Sequence, residues 1–331
     1  LRKQTVLLLV FLLLGSMFYP KFTQAQGSSY VVIDAKTGRI LAGSGEHQLL
    51  PIASLTKIWT AVVVAEEVDL KETTKITPHA SSQEGSSIYL KTGVETPIDV
   101  LLYGLMLRSG NDAAVALAEH AGGSVDGFVK LMNDKAMLMG LKNTKFQNPS
   151  GLPHEEHMST AYDTALMLKI AMENKELETI FTTKNYNQNG LSWENKHRLV
   201  RAEPSAIAGK TGFTKAAGRT LATYFKNDKE EEVIVVTLNQ SNDWNVHKQL
   251  AQSAFNQYDK VQVIKKGSYD LPGGLVIKPN NPVFILKKKN EQISHVIYLS
   301  RKEDLKNIGR WDVQINGQTI ITQKVQIERN E

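Results

Sequence analysis

Pro51-Ile-Ala-Ser54-Leu-Thr-Lys57-Ile-Trp-Thr-Ala-Val-Val-Val-Ala-Glu66 joins two patterns. From Ile58 onward it is apolar at nearly every position. That predicts a helix buried almost all round, not one with a single apolar stripe. At the head of the helix stand Ser54 and Lys57. Three residues apart, they share one face, about one turn from each other. A neutral amine there can take the proton of the serine hydroxyl. The helix N-terminus and the Ser54 N–H can face a developing oxyanion. A lysine acting as base needs its pKa lowered by burial or a neighbouring cation. Ser54 is the only serine in the chain with lysine at +3. Taken alone, the pair reads more readily as an N-cap serine and a solvated first-turn lysine.

Outward from this stretch the chain changes character twice. On the N-terminal side Tyr30-Val-Val-Ile-Asp34 and Arg39-Ile-Leu-Ala42 flank Ala35-Lys-Thr-Gly38, a β-hairpin pattern. On the other side, residues 98–107 and 112–121 read as helices around the polar break Ser109-Gly-Asn111. Val125 to Met139 is helical, with Gly140 as its C′ residue. Asn148-Pro-Ser-Gly-Leu-Pro153 is a loop by its turn residues. Ala161 to Glu178 predicts one further helix. After Pro204, residues 219–225 and 232–238 read as strands, and Asn245 to Tyr258 as a closing helix. Strands, then helices, then strands predict one α+β domain whose sheet is built from both ends of the chain. From about Val261 short β runs take over: Pro282-Val-Phe-Ile-Leu286, His295-Val-Ile-Tyr-Leu299 and Trp311-Asp-Val-Gln-Ile315. Asn316-Gly317 signals a type I′ turn, with Val325-Gln-Ile327 as the return strand. The expected organisation is an export signal at 1–25, a domain at 26–260 and a small all-β domain at 261–331.

The chain has 331 residues, 39 of them Lys or Arg and 34 Asp or Glu, a net charge of +5. It has no cysteine, which excludes disulfides, CxxC redox chemistry and thiolate metal sites. Hydrophobic content of 41% excludes a largely disordered chain. The charge is unevenly placed. Arg2-Lys3, the apolar run Val6–Leu14 and Thr23-Gln24-Ala25 fit a secretory signal peptide, cleaved or kept as an anchor. Residues 1–25 hold three basic residues and no acid. Residues 260–331 hold 13 basic and 7 acidic residues, and 26–259 hold 23 and 27. The bulk is thus mildly acidic, and no basic stripe interleaved with aromatics is present, so no nucleic-acid partner is expected.

Two further patterns can carry chemistry. In Ser109-Gly-Asn111 a hydroxyl and a carboxamide can relay protons and hold a substrate amide, although a plain helix–helix turn accounts for it alone. Lys-Thr-Gly occurs three times, at 36–38, 91–93 and 210–212. Only the third leads into a strand pair, where lysine and threonine can line a strand edge. Gly209 and Gly212 there would let a ligand approach the backbone.

Ser-x-x-Lys, Ser-x-Asn and Lys-Thr-Gly, in that order, are the set of penicillin-binding proteins and class A β-lactamases. Their surroundings match as well: Ile52-Ala-Ser-Leu-Thr-Lys-Ile58, Tyr103-Gly-Leu-Met-Leu-Arg-Ser-Gly-Asn-Asp112, Phe146-Gln-Asn-Pro-Ser-Gly-Leu152 and Gly209-Lys-Thr-Gly-Phe-Thr-Lys215. Over residues 28–260 the chain closely resembles the low-molecular-mass penicillin-binding proteins, the serine-type D-alanyl-D-alanine carboxypeptidases (peptidase family S11). Details are similar to their Gram-positive branch, including sporulation-associated members. The β tail more loosely resembles the small C-terminal domain these enzymes often carry. The resemblance implies a penicillin-binding/β-lactamase-like α+β catalytic domain and a small all-β domain. It implies removal of the terminal D-alanine from peptidoglycan stem peptides ending in D-Ala-D-Ala, without cofactor or metal, and covalent inhibition by β-lactams. It makes Ser54 the nucleophile, Lys57 its proton acceptor, and Ser109 a bridge between the lysines toward the leaving amine. Asn111 would orient substrate or Lys57, and Lys210 would supply positive charge. Thr211 would bind the terminal carboxylate. The backbone N–H groups of Ser54 and Phe213, beside Gly212, would form the oxyanion hole.

Arg219, nine residues beyond Lys210, is a further candidate, because a guanidinium suits the leaving carboxylate bidentately. Two alternatives stand beside the carboxypeptidase: a class A-like β-lactamase and a non-catalytic penicillin-binding sensor. The Glu-x-x-Leu-Asn motif of class A enzymes is missing between Asn111 and Lys210, so penicillin is expected to leave Ser54 slowly. The membrane-lying helix that ends many relatives is not seen before Glu331. An exported enzyme, anchored by its signal or released toward the wall, is therefore expected. The basic tail would touch anionic wall polymer or membrane weakly. His154 and His157 read as bland loop residues, Trp59 as core, and Lys287-Lys-Lys289 as a solvated strand edge.

Overall fold

The opening hairpin pairs Ser29–Asp34 (β1) with Ile40–Ser44 (β2), and Gly38 turns it at φ +74°. The computed structural model describes residues 27–188, 190–279, 281–299 and 307–329. The expected export segment 1–25 lies outside the described residues. Three later strands, Ala206–Thr214 (β3), Gly218–Lys226 (β4) and Glu232–Leu238 (β5), complete an antiparallel sheet ordered β2-β1-β5-β4-β3. The two ends of the predicted domain meet where Ser29 lies opposite Leu238 and Asp34 opposite Val233. β3 is therefore an edge strand.

Period-two alternation explains why β1 and β5 read as continuous apolar runs. Val31, Ile33, Ile234 and Val236 enter the large helical core on one face. Val32, Val233 and Val235 enter a second core on the other, closed by Ala251, Ala254 and Tyr258. Thr56–Glu67 (α1) and Ala161–Glu173 (α4) belong to the first core, and Asp243–Gln257 (α6) covers the second face. In α1, Ile58, Trp59, Ala61, Val63 and Val64 are all fully buried. Each such Val or Ile side chain contributes about 1.5–3 kcal/mol, so the helix head is held from all sides. Trp59 is core, as expected, and its indole N–H donates to Met132 O at 2.8 Å.

Two helices differ from the sequence reading. The single helix predicted over 161–178 is split, with Lys175–Thr182 (α5) following α4. Asn174 breaks it by turning extended and accepting the amides of Glu176 and Leu177 on its side chain. Asn competes with helix in this way and favours caps. The helix predicted over 98–107 runs only from Ile98 to Tyr103. It then widens into a π turn, Gly104–Arg108, and stops at Ser109, which is left-handed at φ +63°. Asn111–Gly122 (α2) and Val125–Leu138 (α3) follow, and Gly140, at φ +80°, takes the expected C′ position.

Beyond α6 the chain is β. Asp259–Ile264 (β6) pairs with Val283–Lys287 (β9). A second sheet has the order β7-β8-β12-β11-β10, from Tyr269–Leu271 (β7), Leu275–Ile277 (β8), Ile293–Leu299 (β10), Ile308–Ile315 (β11) and Gln318–Arg329 (β12). Its core gathers Ile277, Ile285, Trp311, Val313 and Val325. Asn316 and Gly317 both have positive φ at the β11–β12 turn, as a type I′ turn requires. The Leu286 N–H donates to Asp34 Oδ2 at 3.1 Å, and Arg39 pairs with Glu291, so both ends of the β1–β2 turn touch this region.

Candidate active site

Ser54 does not cap α1. It sits in a 3₁₀ turn, Ala53–Leu55, and the helix cap is Leu55, without a side-chain bond. Ala53 has φ +49°, a conformation that costs a Cβ-bearing residue on the order of 1–3 kcal/mol. Its surroundings hold it there. Thr220 Oγ1 of β4 donates to Ile52 O at 3.0 Å, and Thr56 Oγ1 donates to Ala53 O at 2.8 Å. Gly151 lies so close that a Cβ on it would stand 1.9 Å from Ala53 O. From the sheet side Gly212 also approaches closely. A Cβ there would lie 3.0 Å from Ser54 N and 2.4 Å from Thr220 Oγ1. The edge of β3 is thus laid against the Ser54 amide because residue 212 has no side chain.

Lys57 is fully buried. Its Nζ lies 3.1 Å from Ser54 Oγ, 2.7 Å from Asn111 Oδ1 and 2.6 Å from Ser150 O. Burial first, then the charges of Lys210 and Lys196, push its pKa well below the ordinary lysine value. The arrangement fits a neutral amine. As a neutral amine, Lys57 would give its two protons to Asn111 Oδ1 and Ser150 O and turn its lone pair to the Ser54 hydroxyl. Lys210 is also buried, and burial, followed by the Lys196 charge, pushes it down to about 7. Its Nζ donates to Ser109 Oγ at 2.9 Å and to Thr211 O at 2.8 Å. Two amines in one dry site do not both carry charge readily. After burial, the Lys210 charge is the largest cause of the Lys57 shift, so a charged Lys210 favours an uncharged Lys57.

The Ser109–Asn111 turn lies between the two lysines. Ser109 bonds Lys210, whereas Lys57 is reached through Asn111, so the hydroxyl does not itself bridge both amines in this state. Asn111 is fixed from behind, donating from Nδ2 to Glu84 O and from its backbone N–H to Ser86 O. The neighbouring Asp112 carboxylate accepts the amides of Ile88 and Leu90 and the Ser87 hydroxyl, which binds the 84–90 segment to the head of α2. Lys196 Nζ donates to Ser86 Oγ at 3.2 Å.

The predicted residues Ser54, Lys57, Ser109, Asn111, Lys210 and Gly212 are therefore brought together. Thr211 is half-buried on the same strand edge, and Phe213 is 67% exposed. Arg219 stands opposite Phe213 in the β3–β4 register. Its Nε and Nη2 are engaged by the Asp243 carboxylate at 3.1 and 2.9 Å. The sequence reading missed Ser150, Gly151, Thr56, His157 and Lys196. A signal existed for the first two. Asn148 Oδ1 accepts the amides of Ser150, Gly151 and Leu152, an Asx-type turn written by Asn-Pro-Ser-Gly.

Residues 17–242 match the family model for peptidase S11, described as D-alanyl-D-alanine carboxypeptidase. D-alanyl-D-alanine carboxypeptidase DacF of Bacillus subtilis is 34% identical over 296 residues, which cover 82% of this chain and 75% of that protein. DacA of Escherichia coli K12 is 35% identical over 215 residues, and the match spans 61% of this chain and about half (53%) of that relative. Among solved structures, penicillin binding protein 5 from Haemophilus influenzae superposes with a TM-score of 0.76 at 25% identity. That match covers 91% of this chain and 96% of that one.

Proposed function

The chain belongs to peptidase family S11, the serine D-alanyl-D-alanine carboxypeptidases of peptidoglycan maturation, and on that premise we propose how its residues perform the reaction. The Ser54 hydroxyl gives its proton to the neutral Lys57 amine. Ser54 Oγ attacks the carbonyl carbon of the penultimate D-alanine in a stem peptide ending in D-Ala-D-Ala. The oxyanion is held by the N–H groups of Ser54 and Phe213, donors fixed before charge develops. As the tetrahedral intermediate collapses, the peptide bond breaks. The leaving amine of the terminal D-alanine takes up the proton that Lys57 accepted, passed by way of the Ser109 hydroxyl once substrate is bound. Water, giving a proton to the freed Lys57 amine, then attacks the ester carbonyl and releases the acyl group from Ser54. Lys210, charged beside Ser109, and Thr211 receive the terminal carboxylate, with Arg219 offering its remaining guanidinium face. The observation that carries this reading is the Lys57 amine, buried and 3.1 Å from Ser54 Oγ, with its two other contacts both carbonyl acceptors.

Two assays test it. A fluorescent penicillin should label the protein stably, and a D-Ala-D-Ala tripeptide should release D-alanine. Ser54→Ala should do neither. Rapid loss of label would point to a β-lactamase, and labelling of Ser54→Ala would sink the assignment of the nucleophile. Arg219→Ala should slow turnover of the free-acid peptide more than of its C-terminal amide, and equal effects on both would remove Arg219 from the site.

The same reading includes export and a weak contact of the basic tail with anionic wall polymer or membrane. It is supported by the signal-like pattern of residues 1–25 and the 13 basic against 7 acidic residues of 260–331. Replacing Lys287, Lys288 and Lys289 with Gln in the full chain should lower retention on cell walls at low salt. Unchanged retention would remove the contact.

A further inference from the structure

We propose that His157 and Thr56 form a positioning relay that aims the Ser54 amide at the oxyanion; the proposal rests on the acyl-enzyme reading above. The relay starts from a peptide bond. In a trans peptide the C=O of one residue and the N–H of the next point in opposite directions. Whatever fixes the Ala53 carbonyl therefore fixes the Ser54 N–H. Ala53 needs fixing, because its positive φ would relax if left alone.

The hydrogen bonds that hold it run in one direction. The Gln147 N–H donates to His157 Nδ1 at 3.1 Å, so the single proton of a neutral imidazole is assigned to Nε2. That Nε2–H donates to Thr56 Oγ1 at 2.8 Å. Thr56 has one hydroxyl proton and gives it to Ala53 O at 2.8 Å. Thr56 is fully buried and His157 is 3% exposed, so a lost partner here is not replaced by water without cost. The Phe146 ring packs edge-on against the imidazole at 5.7 Å. Burial first, then the charge of His154, pushes His157 down to about 4, which preserves the neutral tautomer at working pH. Neither side chain bonds Ser54 Oγ or Lys57 Nζ. They act through the backbone, and Gly151 and Gly212 close on the same peptide from two other sides.

The test measures penicillin acylation rates of full-chain variants together with their melting temperatures. Thr56→Val keeps shape and removes the hydroxyl, Thr56→Ser restores it, and His157→Leu removes the donor. Thr56→Val and His157→Leu should each slow acylation about ten- to a hundredfold, the range expected when a fixed donor is misaimed. The apparent binding constant for penicillin should change far less. Thr56→Ser should recover to within about threefold of the parent, and the double variant should be no slower than either single one, as members of one chain are not additive. Acylation by Thr56→Val at the parent rate would overturn the relay. So would Thr56→Ser as slow as Thr56→Val, or a double variant whose losses multiply. If His157→Leu does not fold, the Thr56 pair decides alone. An unlabelled parent protein would overturn the acyl-enzyme reading itself, a separate result from a labelled parent with an indifferent Thr56→Val.

Discussion

The tripeptide Lys-Thr-Gly is written three times in this chain, and its surroundings assign it opposite roles. At 36–38 and 91–93 it makes turns. Gly38 and Gly93 have φ of +74° and +81°, Lys36 is exposed and pairs with Glu232, and Lys91 points to solvent. At 210–212 it is an extended edge strand. The same lysine is buried against Ser109, and the same glycine serves by its missing side chain instead of its φ. In the turns the glycine supplies a left-handed backbone. In the strand it supplies contact between two backbones. The motif has no chemistry of its own until a nucleophile is laid against it.

The comparison can be broken at either kind of site. Lys210→Gln should lower D-alanine release about a hundredfold or more, because the substitution removes the cation from a buried, hydrogen-bonded position. A loss under threefold would mean that the strand copy is no more functional than the turns. Gly212→Ala should slow penicillin acylation about ten- to a hundredfold and lower the melting temperature by a few degrees, since the added methyl meets Thr220 Oγ1 and the Ser54 amide. Acylation at the parent rate would show that the close approach is not used.

A smaller effect separates the copies by pH. Behind β3 and β4 lie two buried histidines, and a Cβ on Gly209 would stand 2.6 Å from His197 Nε2. Burial pushes His197 down to about 3 and His247 well below its usual value. Between the ordinary histidine pKa of about 6.5 and the folded value, the unfolded chain binds protons that the folded one refuses. Stability should therefore fall as pH falls through that window, and the melting temperature should be several degrees lower at pH 4.5 than at pH 7. A flat profile over this range would contradict the burial of these rings. Smallest of all, Lys36→Gln and Lys91→Gln should leave turnover within about twofold of the parent, and a larger loss from either would end the contrast.

Much of this was legible in the sequence, and the reasons differ by residue. The strands were written in Val31–Ile33 and Val233–Val236, because an apolar run between turn residues is a local signal. That each run feeds two cores was not, since side chains bound for opposite faces are equally apolar. Ser54, Lys57, Ser109 and Lys210 were legible only as an ordered set, since each short motif alone reads as a cap or a turn. Ser150 was hidden because it works through its carbonyl, which every residue has. Thr56 and His157 were hidden because their partnership spans 101 positions and leaves no spacing to read. The break at Asn174 and the π turn at Gly104–Arg108 were missed because apolar periodicity continues across both. The capping by Asn174 and the left-handed Ser109 overrule it.

The central claim is that Lys57 is a neutral base at working pH. The direct measurement is the pH dependence of the second-order rate of Ser54 acylation by penicillin, followed by intact mass over the range where the protein stays folded. The rate should rise with a midpoint well below the ordinary lysine range, because burial and the Lys210 charge favour the uncharged amine. A rate that rises only as pH approaches about 10.4, the value of an unperturbed lysine, would contradict it.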